Sequence, residues 1–189
     1  STKESDCMAG HFCSTPAGQE ECEGGTYCAA RSNLPTGIQI GHYTLNASGV
    51  PATRRAVEEQ PCPPGSFCQD GKITLCDELG AYCPEKSSVP AMCQAGSYCP
   101  NASVQIDCEG GSYCPAGSTE ESNCMAGHFC STPVSQSECT TASFCPEGSM
   151  LPIACVACPV GSQVLSACTN RANTTCIECH ENEFSAGGG

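Results

Sequence analysis

The spacing of cysteine constrains this chain more than any other feature. Twenty-one of the 189 residues are Cys, above the ~8–10% that marks a disulfide scaffold. They fall into groups of four with a constant span. Cys7 to Cys28, Cys62 to Cys83, Cys93 to Cys114, Cys124 to Cys145 and Cys155 to Cys176 each cover 22 residues. From the second group onward the starts at 62, 93, 124 and 155 recur every 31 residues. Three groups, starting at 7, 93 and 124, read C-x5-C-x8-C-x5-C, and the group at 62 reads x5, x7, x6. A fixed period of this length is the mark of an array in which each unit touches mainly its neighbours.

Composition removes the alternatives. Trp is absent, aromatics make up 5% of the chain, and Cys and Ala inflate a hydrophobic fraction of 39%. A chain of this length could bury one good core, but the large apolar residues for it are missing. Cross-links must replace burial. A Rossmann domain, a barrel enzyme and a helix bundle are all excluded. The expected fold is small and disulfide-rich: an elongated tandem array of four-Cys units with short β-strands and loops and one β-hairpin insertion. The expected boundaries are unit 1 at 1–28, a Cys-free hairpin insertion at 29–61, unit 2 at 62–92, unit 3 at 93–123, unit 4 at 124–154, a distinct unit 5 at 155–178, and the start of a further unit at 179–189.

The loops between cysteines repeat a second signal. Cys7-Met-Ala-Gly-His-Phe-Cys13, Cys62-Pro-Pro-Gly-Ser-Phe-Cys68 and Cys93-Gln-Ala-Gly-Ser-Tyr-Cys99 each carry Gly and an aromatic, and so do Cys22 to Cys28 and Cys108 to Cys114. Gly permits a tight turn at positive φ. The aromatic is expected to lie over the disulfide as the unit's one sizeable apolar group. Ser1 to Cys28 resembles Ser118 to Cys145 at an offset of 117 residues, which points to internal duplication and to a longer natural protein. Within 29–61, Ile38, Ile40, Tyr43 and Leu45 suggest a strand, Asn46-Ala-Ser-Gly49 a turn, and Val50 to Glu59 a returning strand, hence a projecting hairpin. Arg54 and Arg55 are expected to pair with Glu58 or Glu59 at a solvated strand end, or else to meet an acidic neighbour or a glycan.

Seven basic against 20 acidic residues gives a net charge of −13, which repels nucleic acid and anionic lipid. No stretch approaches 18 apolar residues, so no membrane insertion is expected in this segment. The opening Ser1-Thr-Lys-Glu-Ser-Asp6 is no signal peptide, so the chain reads as a processed form or a segment of a longer secreted protein. So many cysteines require an oxidising compartment, extracellular or at the cell surface. Asn46-Ala-Ser48, Asn101-Ala-Ser103 and Asn173-Thr-Thr175 are N-glycosylation acceptor triplets consistent with that compartment.

The last group differs inside, and its residues point to a family. Cys158-Pro-Val-Gly-Ser through Cys168-Thr, followed by Asn173-Thr-Thr-Cys176-Ile-Glu-Cys179, resembles the second half of a tumour necrosis factor receptor-type cysteine-rich module. The upstream Gly-aromatic-Cys repeats resemble the ephrin-receptor-like cysteine-rich repeats of long extracellular proteins, within the same growth-factor-receptor cysteine-rich class. Their x5 first loop departs from the receptor pattern. The receptor resemblance implies crossed bridges, Cys155–Cys168 and Cys158–Cys176. Extended upstream, it implies Cys7–Cys22, Cys13–Cys28, Cys62–Cys76, Cys68–Cys83, Cys93–Cys108, Cys99–Cys114, Cys124–Cys139 and Cys130–Cys145. Four cysteines allow three connectivities, and closure of each short loop, as in Cys7–Cys13, stands as the competitor. Either way Cys179 is left unpaired in this segment: it opens a further module, makes an intermolecular bridge or stays a free thiol.

Nothing in the sequence carries chemistry. Cys155-x2-Cys158-x17-Cys176-x2-Cys179 matches a four-thiolate zinc ribbon, but it strands Cys168 in a chain otherwise read as disulfide-bonded, so no metal is expected. His11 and His128 share a repeat position where other units carry Ser or Thr, and an exposed loop position is expected for both; His42 and His180 offer no motif. The pairs Glu20-Glu21, Glu58-Glu59, Asp77-Glu78 and Glu120-Glu121 are adjacent in sequence rather than caged, and read as solvated surface. Cys155-x2-Cys158 lacks a thioredoxin-like βαβ context. No catalytic residue and no cofactor are expected, and the chain is not read as an enzyme. The expected function is structural: a stalk, surface-coat or filament subunit that self-associates head to tail or meets neighbouring extracellular proteins, bears N-linked glycans and binds no nucleic acid. An exposed strand edge in 29–61 is the expected assembly contact. The alternative is the ligand-binding ectodomain of a cell-surface receptor.

Overall fold

Nearly every hairpin of this protein opens at a tight turn that a glycine makes possible; the exception among the described residues is the hairpin that follows Ala142. The computed structural model describes residues 6–15 and 18–180. The described residues contain strands but no helix. In chain order the hairpins are β1 (His11–Thr15) with β2 (Gly18–Glu21), β3 (Thr26–Tyr27) with β4 (Thr36–Gly37), β5 (His42–Leu45) with β6 (Glu58–Pro61), and β7 (Ser66–Gln69) with β8 (Lys72–Leu75). They continue as β9 (Ala81–Tyr82) with β10 (Ala91–Met92), β11 (Ser97–Asn101) with β12 (Val104–Asp107), and β13 (Ser112–Tyr113) with β14 (Ser122–Asn123). The last three are β15 (His128–Thr132) with β16 (Ser135–Glu138), β17 (Ser143–Phe144) with β18 (Ile153–Ala154), and β19 (Ser162–Ser166) with β20 (Thr175–Glu178).

The turn before each hairpin is built the same way. His11 N–H donates to Met8 O, His42 N–H to Gln39 O, Ser66 N–H to Pro63 O and Ser112 N–H to Glu109 O. Gly10, Gly41, Gly65 and Gly111 hold the third place of these turns at φ 82, 76, 84 and 87°. A type II turn demands positive φ there, a conformation that a side chain resists by ~1–2 kcal/mol. The same glycine then closes its hairpin. Its carbonyl accepts from the backbone N–H of the residue that follows the returning strand: Cys22 onto Gly10, Cys76 onto Gly65, Cys108 onto Gly96, Cys124 onto Gly111 and Cys139 onto Gly127. Each four-Cys unit upstream of the last therefore holds two turn-and-hairpin half-units, and from residue 62 to 154 one has longer strands and the next has strands of two residues.

That half-unit explains the stretch 29–61. Ile38 N–H closes the β3–β4 hairpin onto Gly25 O, and Cys62 N–H closes β5–β6 onto Gly41 O. The stretch holds a hairpin, but its strands are shifted from the sequence reading, and it does not project. Thr44 and Ala56 are fully buried, and His42 is buried. Arg55 N–H donates to Cys22 O, and Cys28 N–H donates to Ala56 O. It is a full member of the array that lacks cysteine. The signal was present in the sequence: Gly41-His-Tyr-Thr-Leu-Asn-Ala-Ser48 aligns with Gly96-Ser-Tyr-Cys-Pro-Asn-Ala-Ser103, with Thr44 where the other has Cys99.

The chain divides into two compact units, one of residues 1–93 with 99–105 and one of residues 94–98 with 106–189. In the first, the loop of each long hairpin docks on what precedes it. Thr44 N–H donates to Gly71 O, Cys68 N–H to Ser87 O and Cys83 N–H to Ala102 O. In the second, Cys114 N–H donates to Pro133 O, Cys130 N–H to Ser149 O and Cys145 N–H to Asn170 O. The buried hydrophobic residues are almost all half-cystines, joined by Ala56 and Ala81. Phe67 packs partly buried against Cys76, Ala81 and Cys83. The other aromatics of the turns are half-buried as well, so sulfur rather than carbon rings forms the centre of each layer.

Candidate functional site

The pairing of the bridges corrects the crossed pattern implied upstream. The structure joins Cys7 to Cys13, Cys22 to Cys28, Cys62 to Cys68, Cys76 to Cys83, Cys93 to Cys99, Cys108 to Cys114, Cys124 to Cys130 and Cys139 to Cys145. The expected Cys7–Cys22, Cys13–Cys28, Cys62–Cys76, Cys68–Cys83, Cys93–Cys108, Cys99–Cys114, Cys124–Cys139 and Cys130–Cys145 bridges are absent. The reason is local. The turn reverses the chain directly after the first cysteine, so the second cysteine, within the strand or directly after it, returns to it. Their Cα atoms are 5.9 Å apart in Cys7–Cys13, inside the window a disulfide needs.

The last unit is built differently. Cys155 joins Cys168 and Cys158 joins Cys176, the crossed pattern that the receptor resemblance implies. These four are half-buried or exposed, whereas most of the upstream half-cystines are buried. Here the position six residues after Cys158 is Val164, so short-loop closure has no second thiol and Cys158 must reach further along the chain. Cys155, Cys158 and Cys176 of the zinc-ribbon spacing are thus spent in bridges. Cys179 keeps a free thiol, half-buried, with its N–H on Gly161 O.

Several polar residues sit where the sequence did not place them. His11 is buried and His42 equally so, each with Nδ1 within hydrogen-bond range of a backbone oxygen, Ala9 O at 3.4 Å and Ile40 O at 3.2 Å. His128 is half-buried, and its Nδ1 is buried without a partner. The repeat position expected to be an exposed loop is therefore an inward one. Ser66, Ser97, Ser112 and Ser143 occupy it elsewhere and are buried too. It is the first residue of the strand, directed beneath the turn.

The arginine pair also finds other partners than expected. Arg54 lies 3.4 Å from a Glu21 carboxylate oxygen and 3.3 Å from one of Glu23, and Arg55 lies 3.9 Å from Glu21. Glu59 instead accepts from Gln39 N–H at 2.7 Å. The arginines lie in the β5–β6 loop, which folds back onto the β2–β3 connection, as the Arg55 N–H to Cys22 O bond shows. These pairs are exposed and contribute at most about 1 kcal/mol.

Grooves between hairpins are the concave features. One of about 460 Å³ is lined by Ile38, Gln39, Ile40, His42, Gln69 and Asp70 among others. Another, in the second unit, is lined by Glu109, Ser112, Glu121 and Asn123 with three glycines. The Ser112 hydroxyl, and then the Glu109 N–H, hold the Glu121 carboxyl below its ordinary pKa. Among the described residues no group of three or more His, Cys, Asp or Glu is placed to hold a metal ion, and no helix is long and apolar enough to cross a membrane.

The chain matches no family model, no curated protein and no solved structure. Its functional reading therefore rests on its own geometry.

The cysteine-free half-unit supplies a direct test of that geometry. Ile38 and Thr44 stand where the other half-units carry their bridged pair. Thr44 fills its place with hydrogen bonds, its hydroxyl donating to Ala52 O and lying 3.2 Å from Gly71 O. The double variant I38C/T44C is expected to form one more disulfide in the secreted protein, seen by peptide mapping without reduction. A short loop of this size is worth roughly 2.4 kcal/mol by the chain-entropy relation, and loss of the Thr44 bonds costs about 1 kcal/mol. The net gain in unfolding free energy is then ~1 kcal/mol. Two freely alkylated thiols in the folded variant would refute the equivalence.

Proposed function

We propose that this chain is a structural segment of an extracellular repeat protein: a stalk, surface-coat or filament subunit that associates with itself head to tail or with neighbouring extracellular proteins. One observation carries the reading. The same turn, hairpin and closing hydrogen bond recur along the described chain, and its stability is vested in ten disulfides. An array of this kind extends by adding modules, each cross-linked on its own, and suits an exposed, oxidising setting where a burial-based core is not available. Identical modules also favour head-to-tail contacts, which propagate without closing.

A second reading, a ligand-binding receptor ectodomain, is favoured by the crossed Cys155–Cys168 and Cys158–Cys176 bridges of the last unit, which follow the receptor-type pattern. The resemblance to ephrin-receptor-like and tumour necrosis factor receptor-like modules supports either reading, since both classes are extracellular.

The test is assembly. The chain secreted from eukaryotic cells is followed by analytical ultracentrifugation and electron microscopy over a range of concentrations. The structural reading expects concentration-dependent linear or helical assemblies. A chain that stays monomeric and captures one soluble protein saturably moves the conclusion to the receptor. Deleting 29–61 is not a usable variant, because Cys28, Cys62 and Cys22 all take backbone bonds from that stretch.

A further inference from the structure

Two of the long hairpins carry an acceptor triplet where their first strand ends. Asn46 and Asn101 occupy the same place in the repeat, five residues after Gly41 and Gly96, directly after β5 and at the last residue of β11. Each opens an Asn-Ala-Ser triplet. Each turns its side-chain oxygen back onto the chain: Asn46 Oδ1 accepts from Ser48 N–H at 2.9 Å and Val50 N–H at 3.1 Å, and Asn101 Oδ1 accepts from Ser103 N–H at 2.9 Å. These bonds use the oxygen and leave Nδ2 unengaged. Asn101 is exposed and Asn46 half-buried. Asn173 is built otherwise. Its Oδ1 accepts from Thr174 N–H at 2.8 Å and also from Val156 N–H at 2.9 Å across the last unit, and the Thr175 hydroxyl of its triplet is paired with Ser166.

We infer that Asn46 and Asn101 are paired N-glycan acceptors, one on each of two equivalent hairpin turns of the first unit. The donor class is an oligosaccharide carried on a lipid pyrophosphate. A bond forms between Nδ2 and the anomeric carbon of the first sugar, the bond from that carbon to the pyrophosphate oxygen breaks, the lipid pyrophosphate leaves with the electron pair, and the amide gives up one proton. The fold accepts the product because the turn keeps the amide oxygen for its own backbone and presents the nitrogen. A sugar at either turn adds bulk and polarity without displacing a hydrogen bond of the fold.

The inference rests on the extracellular reading above, and the test separates the two. The chain is expressed behind a secretory leader in eukaryotic cells and recovered from the medium. Enzymatic deglycosylation in heavy-oxygen water is expected to convert Asn46 and Asn101 to labelled aspartate in the peptide spectrum. N46Q and N101Q should each lose one glycan step in electrophoretic mobility, and S48A and S103A should do the same with the asparagine retained, which guards against a folding defect of the Gln variants. Secreted, disulfide-bonded chain with both asparagines unmodified overturns the glycan inference alone. Chain that reaches the medium only with scrambled or reduced thiols overturns the extracellular reading instead.

Discussion

Reduction of the bridges without denaturant is expected to unfold the whole chain. The buried residues are half-cystines with few large side chains among them, so little apolar area remains to hold a layer once sulfur is released. A short-loop bridge contributes roughly 2.4 kcal/mol by restricting the unfolded chain. Eight such bridges, with the two longer-loop bridges of the last unit, together exceed the ~5–15 kcal/mol net stability of an ordinary domain. Amide hydrogen exchange checks this. In the oxidised protein the N–H groups of Cys22, Cys76, Cys108 and Cys139, each bonded to a turn glycine, should be strongly protected. After reduction and alkylation they should exchange at near-random-coil rates. Retained protection in the fully alkylated chain would mean that the hairpins stand without sulfur.

The second large effect is at a single glycine. A Cβ built on Gly41 would lie 1.9 Å from Lys86 O, and on Gly111 2.4 Å from Gly148 O, both backbone atoms of a neighbouring segment. Gly41 also sits at φ 76°. Gly41→Ala therefore meets the conformational cost of a left-handed alanine, about 1–2 kcal/mol, and must in addition push two backbone segments apart. The expected loss is at least ~3 kcal/mol, with Cys62 N–H losing its bond to Gly41 O. Gly49, at φ 72° with nothing within 4 Å of a built Cβ, is the control: Gly49→Ala should lose only the conformational part. Denaturant midpoints of the oxidised proteins measure both. Equal losses in the two variants would show that close approach at Gly41 does not matter.

Part of this architecture was legible residue by residue. The period of the cysteines and the Gly-aromatic pair gave the turns and a disulfide-rich fold without helices, because a turn type and a spacing are local properties. Each four-Cys unit upstream of the last holds two hairpins, one of longer strands and one of two-residue strands, a subdivision that the cysteine period does not display. Counting cysteines in fours concealed that Ile38 and Thr44 stand in for a bridged pair, although Gly41-His-Tyr and Asn46-Ala-Ser repeated the pattern on either side of Thr44. The partners of Arg54 and the burial of His11 were not legible, since both depend on how a loop folds onto a different hairpin.

What the sequence determined alone is that sulfur replaces a carbon core and that glycine sets the turn of every half-unit except the one holding Ala142. Both follow from composition and backbone sterics, which need no knowledge of distant contacts. Only the tertiary structure decided which thiol meets which. The same spacing satisfies local and crossed pairing equally. The choice fell to whether the turn returns the second cysteine to the first, as at Cys7 and Cys13, or whether, as at Val164, no thiol waits there and the chain must bridge across the unit.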